Sequence, residues 1–159
     1  MSSMSRETKN IVVVMIIEVI GRPPEHLTET LNDLIKKIDE EKGVVVKKKK
    51  INEPVLMKKE EDSSEKIKTK KQEDFYINFA EVEVEVEEIL YLAILMFKYM
   101  PAHIEIVSPE LIALTNNGWN DILNELTRRL HGYDEIARVM QVEREILEKN
   151  LREMLEEKK

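Results

Sequence analysis

The sequence predicts an α+β domain followed by a helical extension. The first indication is an unbroken apolar run, Ile11–Ile17, and the second is the strict alternation of glutamate and valine from Glu81 to Glu87. Both patterns are typical of strands in one sheet. The third indication is the recurrence of apolar residues at heptad spacing from Trp119 onward, which is typical of a long helix. We therefore divide the chain into a flexible N-terminal extension (1–9), an α+β domain (10–107) and a C-terminal helical segment (108–159).

The first strand is predicted from Asn10 to Ile20 and is expected to be covered on both faces, because its apolar run contains no polar residue. Gly21 ends this strand. Helix one is predicted over Pro23–Lys42, with prolines at its start and the left-handed position of its C-cap at Gly43. Its apolar stripe consists of Leu27, Leu31, Leu34, Ile35 and Ile38.

Strand two is predicted over Val44–Lys50, and residues 52–74 form a long polar hairpin connection. Strand three begins near Phe75. Its apolar residues change from odd to even numbers at Ala80–Glu81, which predicts a β-bulge that places both sets on the core side.

Helix two is predicted over Glu87–Met100 and is apolar nearly all round, so it requires a second covering surface. The alternating segment His103–Val107 forms strand four. The element order β-α-β-β-α-β is the ferredoxin-like plan, an antiparallel sheet with strand order 4-1-3-2 that places strand one in the middle. This topology serves many unrelated functions and does not identify one.

The last third of the chain begins with Ser108-Pro109-Glu110, which predicts a helix start followed by one turn over Leu111–Leu114. From Trp119 the heptad pattern predicts either one long helix or a helical hairpin that turns at His131-Gly132. A second apolar stripe lies on another side of the same helix. It consists of Val139, Val142 and Ile146. A helix that is apolar on two sides needs two partners, and we expect one of them to be another copy of the chain.

Composition excludes several classes of protein. The 159 residues contain no cysteine, so there is no disulfide framework and no cysteine-ligated metal. No signal peptide or membrane-spanning run is present, which predicts a cytoplasmic protein without a membrane partner. Charged residues make up 36% of the chain, a balance typical of thermophile proteins. The net charge of −7 argues against a generic nucleic-acid binder.

Two candidate sites lie in the predicted domain. Glu18, His103 and Glu105 are expected on the open face of the sheet, where carboxylates and a histidine could bind a divalent metal. A solvated, ion-paired sheet face explains the same residues. Arg22 and His26 flank the start of helix one and form a candidate anion site, although the prolines there remove backbone donors that a phosphate needs.

A third candidate is the segment 47–71, which holds ten lysines and five acids. Its lysines could follow a phosphate backbone, but the segment contains no arginine and no aromatic residue to stack on bases. The candidate nucleic-acid residues are Lys47, Lys48, Lys49, Lys50, Lys58 and Lys59.

These patterns favour a non-enzymatic interaction or regulatory module that self-associates through C-terminal helices, with small-ligand sensing as one form of regulation. No catalytic motif and no cofactor motif is recognised. Two alternatives stay open: a nucleic-acid-associated protein that uses the lysine-rich hairpin, and a metal-dependent enzyme on the open sheet face.

Overall fold

The computed structural model describes residues 10–57 and 74–157. The chain separates into two compact units, residues 1–113 and 114–159. The described residues of the first unit, called the sheet domain below, form five strands and two helices. They are β1 (Ile11–Gly21), α1 (Pro24–Asp39), β2 (Val44–Ile51), β3 (Val55–Leu56), β4 (Tyr76–Val86), α2 (Ile89–Tyr99) and β5 (His103–Ser108). The second unit contains one helix, α3 (Asn116–Glu156).

The predicted α+β class, with an antiparallel sheet and a long C-terminal helix, is confirmed. Neighbouring strands follow the order β2-β4-β1-β5, and all pairs are antiparallel. The order differs in numbering from the predicted 4-1-3-2 because the two-residue strand β3 was not predicted. β3 pairs with the first residues of β4 and lies outside the order of the four longer strands. The predicted strands two, three and four therefore correspond to β2, β4 and β5.

The core lies on one face of the sheet. Alternate residues of β1 and β4 are buried there, and the stripes of α1 and α2 cover them. This follows from the two-residue period of strands and the three-to-four-residue period of helices. The central members of the core are Val13, Met15, Ile17, Leu31, Ile35, Ile38, Ala80, Val82, Val84, Val86, Leu92 and Leu95.

The prediction that β1 is covered on both faces is wrong. Val12, Val14 and Ile16 are only half-buried, and Glu18 and Ile20 on the same side are exposed. The reason is that both short helices pack on the opposite face.

The predicted β-bulge at Ala80–Glu81 is also wrong. The register of β4 with β1 runs without interruption from Val86 to Tyr76, so its even-numbered residues all face the core. In place of Phe75, Ile77 and Phe79, the core side of this part of β4 holds Asn78, which is fully buried. Its amide nitrogen donates to Thr28 Oγ1 at 3.3 Å, and its amide oxygen accepts from the Phe79 backbone N–H at 2.8 Å. A polar residue occupies a core position because its hydrogen bonds are satisfied.

Helix boundaries differ from the predictions at the ends. α1 stops at Asp39, whose carboxylate accepts a hydrogen bond from the Val46 backbone N–H at 2.8 Å. Gly43 has the expected left-handed backbone, with φ of +70°, but it lies in the turn before β2 rather than next to the helix. α2 is shorter than the predicted Glu87–Met100. Within α2, Leu92 and Leu95 are buried and most other residues are half-buried.

α3 is one continuous helix of 41 residues, so the alternative of a helical hairpin at His131-Gly132 is wrong. The helix begins three residues before Trp119. Thr115 is its N-cap, and the side-chain oxygen of Thr115 accepts from the Gly118 backbone N–H at 3.1 Å. The predicted helix start at Ser108–Glu110 and turn at Leu111–Leu114 are wrong, since residues 109–115 are not helical.

Candidate functional site

The outer face of the sheet is ion-paired across strands. In the register of β2 with β4, Lys48 lies opposite Glu83 and Lys50 lies opposite Glu81. Lys48 Nζ is 4.0 Å from Glu83 Oε1, and Lys47 Nζ is 3.6 Å from Glu85 Oε2. Such partly exposed pairs are typical of a solvated sheet surface and contribute little to stability.

The candidate metal residues occupy two strands of this face. His103 pairs with Ile16 and Glu105 pairs with Val14, which places both on the outer face of β5. Glu18 lies on β1 opposite Phe79 of β4, past the end of the pairing between β1 and β5. In residues 10–57 and 74–157, no three histidine, aspartate or glutamate side chains form a group that could hold a metal ion. The geometry of this face thus adds nothing in favour of a metal site.

The candidate anion site at the start of α1 has other contacts. The Arg22 guanidinium lies over the Phe75 ring, with Cζ 5.2 Å from the ring centroid, a cation–π contact. His26 Nδ1 is 3.5 Å from Glu29 Oε2 on the exposed surface of α1. The structure therefore places the arginine against an aromatic ring and the histidine beside a carboxylate.

The lysines of β2 do not form one basic surface. Lys47 and Lys48 reach glutamates on the outer face, whereas Lys49 Nζ donates to Asn32 Oδ1 of α1 at 3.3 Å. β2 is an edge strand, and lysines on an edge hinder pairing with strands of other molecules. Lys58 and Lys59 lie outside the described residues.

A polar cluster that sequence reasoning missed joins the ends of α1 and α2. The Tyr99 hydroxyl donates to Glu41 Oε1 at 2.6 Å, and Lys98 Nζ forms an ion pair with the same oxygen. Burial raises the pKa of Tyr99 well above its usual range, and the hydrogen bond to the Glu41 carboxylate raises it further. The cluster lines a cleft of about 540 Å³ together with Leu34, Lys37 and Glu40. Only proximity in the folded chain reveals it, because Glu41 and Tyr99 are far apart in sequence.

The most unusual surface of the molecule is the heptad stripe of α3, called the seam below. Its members are Leu123, Leu126, Leu130, Tyr133, Ala137, Met140, Arg144, Leu147, Leu151 and Met154. Seven large side chains of the seam are 46–67% exposed, and Leu126 is half-buried. An exposed apolar stripe of this length is typical of a surface that contacts another molecule.

A second apolar stripe of α3 lies to one side of the seam. Val139, Val142 and Ile146 are 52–55% exposed. Ile136 is exposed as well and lies between the two stripes, since it is three and four residues from Val139 and Met140. Around the centre of α3, apolar side chains therefore cover about half of the helix circumference.

Comparison with known proteins gives one match. The model of the MJ0538 family matches residues 12–151. The chain belongs to the MJ0538 family. No curated protein and no solved structure matches the chain.

The extent of the MJ0538 family match bears on the site. It runs from the second residue of β1 to Leu151, so it includes all of the sheet domain's described elements after Ile11 and most of α3. All of the seam except Met154 falls within it. The match to the family thus extends over residues of both units of the chain. In the described part of the chain, no helix has the length and apolar character that crossing a bilayer requires.

Proposed function

We propose that the chain is a non-enzymatic interaction module: a ferredoxin-like domain that self-associates through α3. The observation that carries this proposal is the exposure of the seam and of the second stripe, with all described residues of the chain present. The sheet domain supports the proposal by contrast, because it has a buried apolar core of its own. The order of its four longer strands, counted without β3, is the basis for proposing the ferredoxin-like plan.

The size of the exposed surface is adequate for association. Complete burial of a leucine-sized side chain is worth about 1.5–3 kcal/mol, so a half-exposed one gains about 1 kcal/mol when it is covered. Seven large seam residues in each of two copies are available. Their combined contribution is comparable with the association cost of about 4–15 kcal/mol. A stable dimer is therefore energetically reasonable, and the second stripe supplies further surface for a larger assembly.

Sedimentation equilibrium of the full chain at micromolar concentration tests the proposal. We expect the natural sequence to be a dimer or larger. Leu147→Glu places a charge in the seam of both copies, at a position that is 67% exposed in the single chain. Losing this burial twice costs about 3 kcal/mol, which raises the dissociation constant roughly 100-fold.

His131→Glu is the matched control. It adds the same charge to the same helix, at an exposed residue on the side away from the seam. We expect it to leave the sedimentation of the protein unchanged. A strictly monomeric natural sequence, or equal behaviour of the two variants, would contradict the proposal.

The two alternative functions have less support. Among the candidate nucleic-acid lysines, Lys47 and Lys48 are paired with glutamates and Lys49 contacts Asn32. A salt-sensitive mobility shift with RNA would nevertheless revive that alternative. For the metal-dependent enzyme, retention of metal binding by a variant lacking both His103 and Glu105 would dismiss the site.

A further inference from the structure

We infer that two copies of the chain pair in antiparallel orientation along the seam, so that Arg144 of each copy lies opposite Tyr133 of the other. This inference rests on the proposed self-association and adds the orientation, the register and the residue that selects them. It depends only on α3, which is one uninterrupted helix.

Arg144 is the one charged residue of the seam. Its side chain is 79% exposed, and its Nε donates to Glu148 Oε1 at 2.8 Å. The neighbouring seam residues Met140, Leu147 and Leu151 line a groove of about 330 Å³ beside it. In coiled coils, a single polar residue at such a position selects the register and orientation that accommodate it.

A parallel, in-register pair accommodates Arg144 poorly. In that arrangement every seam residue faces its own copy, so the two guanidinium groups meet between apolar layers. This contact brings like charges together as they lose water, which is unfavourable.

An antiparallel pair accommodates the same residue well. A two-fold axis that passes between Arg138 and Val139 relates the two copies. Each seam residue at an a position of the heptad then faces a d position of the other copy. The facing pairs are Ala137 with Met140, Tyr133 with Arg144, Leu130 with Leu147, Leu126 with Leu151, and Leu123 with Met154. The smallest seam residue thus faces the flexible methionine, which fills irregular space. The guanidinium faces an aromatic ring, a favourable cation–π partner.

Charge also distinguishes this register from its neighbours. The two Arg144 side chains start eleven residues apart along the axis, about 16 Å at 1.5 Å per residue. Sliding the copies by one heptad in one direction brings them to about 6 Å. Sliding by one heptad in the other direction places Met154 opposite the polar Asn116. The register centred between Arg138 and Val139 avoids both contacts.

Cysteine cross-linking tests the inference, because the natural chain contains no cysteine. Leu130→Cys and Leu147→Cys are prepared as two separate full-length variants. Both residues are more than half exposed, so the core of the sheet domain is not disturbed. The variants are unfolded together, refolded as a mixture and treated with a short bis-maleimide.

We expect cross-linked dimer from the mixture and little from either variant alone. In the inferred register the two different cysteines face each other, whereas identical cysteines are about 26 Å apart. The yield from the mixture should exceed that from either variant alone roughly tenfold, equivalent to ~1.4 kcal/mol between the orientations.

Variants of Arg144 test its selecting role. Arg144→Leu in the Leu130→Cys background removes the like-charge contact of the parallel pair, so cross-linking of that variant to itself should rise. Arg144→Lys, introduced into both cysteine variants, retains the charge. It should retain the cross-link between Leu130→Cys and Leu147→Cys in the mixture, which is the antiparallel product. A purely structural role for Arg144 would change the total yield and leave the ratio of the two products unchanged.

Two results would overturn the inference while self-association survived: efficient cross-linking of each variant to itself, or a dimer by sedimentation that yields no cross-link between the two variants. A monomer of the natural sequence at micromolar concentration would instead remove the proposed function itself.

Discussion

The sheet domain and α3 use the same kinds of apolar residue at regular spacing, with opposite results. In the sheet domain, Val13, Met15 and Val84 are fully buried. In α3, a helix of 41 residues, Ile122 is the one buried residue. The difference teaches that periodicity identifies which side of an element is apolar but does not identify what covers it. The sheet domain buries a core between its own strands and helices, whereas the seam of α3 is exposed.

Replacing one leucine by alanine in each region tests this comparison, and the largest expected change in the free energy of unfolding comes from the sheet domain. Leu31→Ala removes a fully buried side chain between α1 and the sheet. We expect the free energy of unfolding to fall by about 2–5 kcal/mol, because the substitution leaves a cavity. Urea unfolding followed by circular dichroism at a fixed protein concentration measures this change.

Leu151→Ala is the corresponding substitution in the seam, at a residue that is 58% exposed. We expect it to leave unfolding of the sheet domain nearly unchanged and to weaken association, as seen by sedimentation. Equal loss of unfolding free energy in the two variants would remove the distinction between the regions.

A smaller effect of opposite sign is expected from Gly→Ala in the two regions. Gly43 has φ of +70°, and a Cβ there would collide with the Tyr91 ring. Gly43→Ala should therefore destabilise the sheet domain by about 1–3 kcal/mol. A Cβ on Gly132 meets nothing within 4 Å, and the residue lies inside α3. Gly132→Ala should stabilise the helix by about 1 kcal/mol.

Thermal unfolding of both glycine variants, monitored at 222 nm by circular dichroism, provides the measurement. Destabilisation by Gly132→Ala would mean that the helix surface near this residue is closely covered in the assembly. That result would contradict the expected stabilisation and would show that the side of α3 around Gly132 is covered in the assembly.

The smallest effect is expected on the outer face of the sheet. Lys48→Ala removes an ion pair with Glu83 in which the lysine side chain is 79% exposed. We expect a change in unfolding free energy of less than about 1 kcal/mol, which decreases further in high salt. A larger loss of unfolding free energy, measured by urea unfolding, would show that the ion pairs of this face contribute to the stability of the sheet domain.

Most elements of the sheet domain follow from the sequence, because each has a strong local signal. The apolar run of β1, the stripe of α1 and the alternation over Glu81–Glu87 all correspond to observed elements. The two-residue strand β3 had too few residues to give a pattern. The start of α3 was misplaced because the capping oxygen of Thr115 was not recognised among the polar residues before Trp119.

The error in β4 has a different origin. The odd-numbered apolar residues Phe75, Ile77 and Phe79 predict a change of face before Val82, whereas the structure buries Asn78 and keeps the even-numbered residues on the core side. Whether a polar side chain belongs in a core depends on hydrogen-bond partners such as Thr28, which is 50 residues away in the chain. No local pattern contains that information.

The candidate sites were less predictable than the fold. Arg22, His26 and the lysines of β2 were chosen for their charge, yet their neighbours come from elsewhere in the folded chain. Phe75 lies beside Arg22, and Glu85 lies beside Lys47. The cluster of Glu41 with Lys98 and Tyr99 escaped notice for the same reason. The seam of α3 was identified from sequence because all of its members lie on one helix.

The sequence by itself determined the type of most elements and the apolar side of each, since these depend on residues that are near one another in the chain. Tertiary structure alone decided that the helices cover one face of the sheet and that Asn78 is a core residue. Those outcomes depend on contacts between residues that are far apart in the chain, and a local sequence pattern does not specify such contacts.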